Sequence, residues 1–182
     1  KGELASAIST DLHKNGSFVT ADDLADYKTT RYQPLSTMYG NYQVFSNSAP
    51  GAGPLLIEAL NVLEGLDLSS FKHGGIEYLN SMASTLQLVN EDRINYLGDP
   101  EVIGNGSLET IISGKRADEI RGMVKSGMVG NLFTHGEGPD TTHLTVVDET
   151  GNAASITHSL GSVSGVVTPG LGFVYNNGMN RY

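Results

Sequence analysis

TTHLTVVDETGNAASITHS, residues 141–159, is two seven-residue arms around the pentapeptide DETGN. In the first arm Thr141, His143, Thr145 and Val147 share one face and Thr142, Leu144 and Val146 the other, the period-two signature of a strand. DETGN, residues 148–152, supplies turn formers, with Gly151 and Asn152 available for left-handed geometry. AASITHS then reads as the return strand. A loop of residues 148–152 pairs Val147 with Ala153, Thr145 with Ser155, His143 with Thr157 and Thr141 with Ser159. Directly opposed residues hold their Cβ atoms roughly 5 Å apart, so the last pair brings two hydroxyls within reach of each other. A slip of one residue would turn Ser159 to the opposite face.

Upstream of this hairpin, residues 127–140 (GMVGNLFTHGEGPD) hold four glycines and a proline, which reads as a flexible, exposed connector open to cleavage. A threonine hydroxyl ionises far above neutral pH and is a poor nucleophile without a base. Cutting the Asp140–Thr141 peptide bond would give Thr141 a free α-amine with an ordinary pKa near ~8, beside its own Oγ. One residue would then be both nucleophile and base. On pattern alone, two threonines opening a strand read as ordinary sheet residues, since that pair is common at a strand start.

Residues 2–15 read as a helix, with Leu4, Ala5, Ile8 and Leu12 at helical spacing and Gly16 as the stop. Thr20 opens a second helix, body 22–27, with Asp23 as capping-box partner. Residues 36–46 read as two short strands about Gly40-Asn41. SNSAPGAGP, residues 46–54, is a loop feeding an apolar helix over 55–64 closed by Gly65; the loop could bind a carboxylate at the helix N-terminus or simply lead into the core. A long helix over 75–96 is expected to present Ile76, Leu79, Met82, Leu86 and Leu88 as its apolar face and Glu91, Asp92 and Arg93 to solvent. Shorter helices are expected near 107–113, capped by Ser107, and 115–126. The chain thus divides into a mainly helical part, 1–140, and a part rich in strands and turns, 141–182.

The 182 residues carry a net charge of −9, with 11 basic residues that never form a run, so neither nucleic acid nor an anionic membrane is the expected partner. No apolar run reaches the ~20 residues of a membrane helix. With no cysteine, disulfides and thiolate metal sites are excluded, and the compartment stays open. Lys1 stands inside a helical pattern, as expected of a piece of a longer chain.

TTHLTVVDETGNAASITHSLGS (141–162) resembles the start of the small subunit of γ-glutamyltranspeptidases, which are N-terminal-nucleophile hydrolases. VTADDLADY (19–27), NYQVFSNSAPGAGPLLIEALNVLEGLDL (41–68), DRINYLGDP (92–100) and FVYNNGMNRY (173–182) resemble further segments of that family in order. The resemblance implies an α+β fold, part of the four-layer αββα sandwich of N-terminal-nucleophile hydrolases, with the hairpin central to one sheet. Residues 1–140 would then be the end of the large chain and residues 141–182 the start of the small one, both from one precursor.

The resemblance also implies self-cleavage between Asp140 and Thr141, with Thr141 as the nucleophile that forms an acyl-enzyme from a small-molecule or peptide amide. The family's second threonine falls on Ser159. Its substrate-binding arginine falls upstream of residue 1, and the paired glycines of its oxyanion hole downstream of Tyr182. No cofactor or metal is implied, and a homo-oligomer is compatible with the pattern. Substrate-binding positions fall on Gly161, Asn177, Gly178 and Arg181, and three of them depart from the family pattern. Gly161 stands where the family has asparagine. Gly178 and Arg181 stand where acidic residues hold the α-amine of a glutamyl group, and arginine favours a carboxylate instead. These departures point to an acyl group without a free α-amine, as in the family's acylases and polyglutamate-cleaving members, or to a non-catalytic relative.

Two other chemistries fit poorly. GSVSG, residues 161–165, lacks the G-x-S-x-G spacing of a serine nucleophile elbow. The five histidines, at 13, 73, 135, 143 and 158, form no H-x-x-x-H pair, and His143 and His158 are expected to pack or hydrogen-bond within the hairpin.

Overall fold

The computed structural model describes residues 2–29, 31–104, 106–130, 141–161 and 164–176. The chain forms two compact units, residues 31–134 and residues 1–30 with 135–182.

In the first unit, strands β1 (Leu35–Tyr39) and β2 (Tyr42–Ser46) pair antiparallel about Gly40-Asn41, as their aromatic and β-branched content predicts. Helix α3 (Gly53–Glu64) lies against β1 and packs on α4 (Ile76–Tyr96) and α7 (Gly114–Lys125). Their shared core is Ala59, Val62, Leu63, Leu66, Leu88, Val89, Ala117 and Ile120. Helix α3 starts two residues before the expected Leu55. Pro54 suits the first turn because its missing N–H would have no helical partner there. Gly53 is dictated by space: a Cβ would stand 1.8 Å from the Asn47 carbonyl oxygen. Asn61 ties this unit together. It accepts from the Thr37 hydroxyl, its amide donates to the Ile112 carbonyl at 3.0 Å, and its own carbonyl accepts from Arg121 at 2.6 Å.

Helix α4 corrects two expectations. Ile76, Leu79 and Leu86 are exposed, and of the expected apolar face only Leu88 is fully buried. The buried stripe runs through Thr85, Leu88, Val89 and Asp92, which is the i, i+3, i+4, i+7 spacing of one helix face. That stripe carries polar residues, so apolar content pointed to the wrong side. Asp92, expected in solvent, is 1% exposed. Arg116 donates to both of its oxygens, at 2.6 Å from Nε and 2.7 Å from Nη2. Glu58, from α3, is fully buried beside them, and neither of its oxygens receives a hydrogen bond. Burial, then the Asp92 carboxylate, raises its pKa from 4.5 to about 9. A protonated Glu58 can itself donate to Asp92, which reconciles the pair with its surroundings.

Helices α5 (Pro100–Ile103) and α6 (Gly106–Ile111) precede α7. Ser107 lies inside α6 rather than capping it, whereas Ser113 caps α7 by accepting from the Arg116 amide at 3.1 Å.

In the second unit, α1 (Glu3–Lys14) buries none of its residues, and Leu4 is exposed. Helix α2 (Ala21–Asp26) opens with the expected capping box: Thr20 Oγ1 accepts from the Asp23 amide at 3.1 Å, and the Asp23 carboxylate accepts from the Thr20 amide at 2.7 Å. Strands β3 (Thr141–Val147) and β4 (Ala153–Ser159) form a two-stranded antiparallel sheet.

Candidate active site

The turn between β3 and β4 sets everything that follows. The Asp148 carboxylate accepts from the Thr150 amide (2.9 Å), the Thr150 hydroxyl (2.8 Å), the Asn152 amide (2.8 Å) and the Asn152 side chain (2.8 Å). These bonds, the one from the Asn152 side chain foremost, hold its pKa down to about 2. Gly151 supplies the left-handed step at φ 86°, while Asn152 contributes its side chain instead of a left-handed backbone. The five-residue loop fixes the register at Val147 opposite Ala153. Thr145 then faces Ser155, His143 faces Thr157 and Thr141 faces Ser159, the pairing expected from the alternation.

One face of the hairpin is a ladder of hydroxyls around an imidazole. At its open end Thr141 Oγ1 donates to Ser159 Oγ at 3.1 Å. The Gly161 amide donates to the same Ser159 oxygen at 3.2 Å. With two donors directed at its oxygen, Ser159 keeps its own hydrogen free to donate. One rung further in, His143 Nδ1 lies 2.8 Å from Thr157 Oγ1, and its Nε2 lies 2.9 Å from Thr145 Oγ1 and 3.2 Å from Ser155 Oγ. His143 thus hydrogen-bonds within the hairpin, as expected. The opposite face carries Thr142 opposite His158, Leu144 opposite Ile156 and Val146 opposite Ala154, and Leu144, Val146 and Ile156 on it are exposed.

Of the residues singled out from sequence, Thr141, Ser159 and Gly161 come together. Gly161 does so through its backbone, at φ 67°, a left-handed conformation in which glycine is unstrained. An amide aimed at Ser159 was not foreseen, although a hydroxyl two residues before a glycine is a known turn signal. Asp140, Asn177, Gly178 and Arg181 lie outside the described residues, as does most of the expected connector, 131–140. Among the described residues no group of three or more histidines and carboxylates gathers as a metal site.

The family model described as gamma-glutamyltranspeptidase matches residues 1–182. A glutathione hydrolase proenzyme of Escherichia coli is 31% identical over all of this chain and 33% of its own length. An acylase ACY 1 proenzyme of a Pseudomonas species is 30% identical over the whole chain and 33% of its own length. Among solved structures, cephalosporin acylase from Bacillus halodurans superposes with a TM-score of 0.77 at 28% identity, over 97% of this chain and 32% of that one. Helicobacter pylori gamma-glutamyltranspeptidase gives 0.63 at 30% identity, over 68% of this chain and 36% of that one. The chain therefore spans about a third of the length of these relatives and is a mixed helix-and-strand fragment of the N-terminal-nucleophile hydrolase fold.

Proposed function

Because the chain belongs to the gamma-glutamyltranspeptidase family, we propose that the protein containing it is a self-processing amidohydrolase or acyltransferase whose nucleophile is Thr141. The observation that carries this is the 3.1 Å bond from Thr141 Oγ1 to Ser159 Oγ at the first rung of the hairpin. In the first step Thr141 Oγ attacks the Asp140 carbonyl carbon. The new O–C bond replaces the C–N bond, and the nitrogen takes the hydroxyl proton. One water hydrolyses the resulting ester, leaving Asp140 with a carboxylate and Thr141 with a free amine.

In turnover that amine accepts the Oγ proton as Oγ attacks a substrate amide. The tetrahedral adduct collapses when the leaving amine takes the proton, and the acyl group stays on Thr141 as an ester. Water or an acceptor amine then releases it. Ser159 orients the nucleophile, and the Gly161 amide orients Ser159. Every proton in the cycle is carried by Thr141, the substrate or water, so the cycle calls for no cofactor. The test is covalent labelling of the full-length protein with a diazoketone analogue of a glutaryl amide, an electrophile without an α-amine. An adduct on Thr141 supports the mechanism; an adduct elsewhere, or none under conditions that label active relatives, refutes it.

For the acyl group we propose one without a free α-amine. Gly161, Gly178 and Arg181 replace the side chains that suit an ammonium, and Arg181 offers a planar fork for a carboxylate. The acylases among the relatives support this breadth. Glutaryl-p-nitroanilide is therefore expected to be cleaved faster than γ-glutamyl-p-nitroanilide, and the reverse order rejects this assignment.

A further inference from the structure

Helix α1 and the segment 164–176 are joined by a chain of hydrogen bonds that the proposed chemistry does not use. Thr168 is 4% exposed, and its Oγ1 donates to Asp11 Oδ2 at 2.7 Å. The Tyr175 hydroxyl lies 2.7 Å from Thr168 Oγ1. A carboxylate only accepts, so the Thr168 hydrogen is committed to Asp11, and Tyr175 must donate to Thr168. The bonds therefore run one way, from Tyr175 through Thr168 to Asp11, with each hydroxyl hydrogen used.

The segment that presents Thr168 is braced on its own. Ser164 Oγ donates to the Tyr175 carbonyl at 2.6 Å and accepts from the Val166 amide at 3.1 Å, and the Tyr175 amide donates to the Val166 carbonyl at 3.0 Å. Phe173 packs edge-on against Tyr175 at 5.4 Å. Helix α1 offers this segment no buried apolar side chain. A polar contact with a buried hydroxyl at its centre is thus what distinguishes the two surfaces. An unmade bond there would leave Thr168 without a partner at full desolvation cost.

Asp11 and Thr168 lie on opposite sides of the Asp140–Thr141 bond in sequence. We propose that Asp11, Thr168 and Tyr175 form an inter-chain clasp, which binds the chain beginning at Thr141 to the chain ending at Asp140 once the backbone is divided. The proposal takes from the functional reading only the position of the cut. Before the cut the contact is intramolecular and favoured by the covalent link. Afterwards it must hold two separate molecules, so its loss becomes visible as dissociation.

The experiment uses the full-length protein with a specific protease sequence inserted in residues 131–140 and cut by that protease, so the result does not depend on self-cleavage. Dissociation of the two chains is followed by native mass spectrometry in graded urea for the parent, Thr168→Val, Tyr175→Phe, Asp11→Ala and the Asp11→Ala/Thr168→Val double variant. Thr168→Val is expected to raise the dissociation constant about tenfold, and Tyr175→Phe, which removes only a donor from a half-buried ring, to raise it about threefold. The double variant should dissociate no more readily than Thr168→Val alone, because both changes break the same chain of bonds. Parent-like dissociation of Thr168→Val and Tyr175→Phe, or additive effects in the double variant, would overturn the clasp.

Discussion

Glu58→Gln is expected to make the protein more stable in mild alkali while leaving it nearly unchanged at pH 5. In the folded protein Glu58 keeps its proton up to about 9, against 4.5 ordinarily. Between those values the folded state binds one proton more than the unfolded state. Stability from this group is therefore complete below pH 4.5 and drains away as pH rises toward about 9. The slope is about 1.4 kcal/mol per pH unit while the difference in bound protons lasts. Glutamine keeps the shape, stays neutral and can still donate to Asp92, so the slope from this site vanishes. That slope accumulates roughly 5 kcal/mol between pH 4.5 and pH 8, so with a urea dependence of about 1–3 kcal/mol per molar the midpoint of the glutamine variant at pH 8 should exceed the parent's by roughly 2–5 M. The assay is reversible urea unfolding of both proteins from pH 5 to pH 9, taking the difference at each pH so that other groups cancel. Parallel profiles across that range would refute a buried, protonated Glu58.

Ser159→Ala removes the acceptor of the Thr141 hydroxyl, and kcat/KM for glutaryl-p-nitroanilide should fall about ten- to a hundredfold. Asp148→Ala should abolish an acid transition of the hairpin. The parent's turn is supported above pH 3.8 and loses that support as pH falls through about 2, which amide exchange of residues 148–152 would follow.

The hairpin was legible because its information is local. Alternation fixes the faces, a loop of five residues fixes the register, and the two together place Ser159 opposite Thr141. The capping box at Thr20 and the turn at Gly40 are local for the same reason. Asp92 was not legible. Its burial depends on Arg116, 24 positions away, and a carboxylate in isolation reads as a surface residue. Glu58 likewise depends on two other helices, and the amide that reaches Ser159 carries no side-chain signature at all. What remained hidden was therefore long-range pairing of charge and the backbone's share of the site.

The central claim is that Thr141 releases its own amine and then uses it. Intact-mass analysis of the freshly purified full-length protein tests it most directly, alongside Thr141→Ala. Two chains, the second beginning at Thr141, are expected for the parent, and one undivided chain for the variant. A Thr141→Ala protein that still divides after Asp140 and cleaves glutaryl-p-nitroanilide at the parent's rate would contradict it.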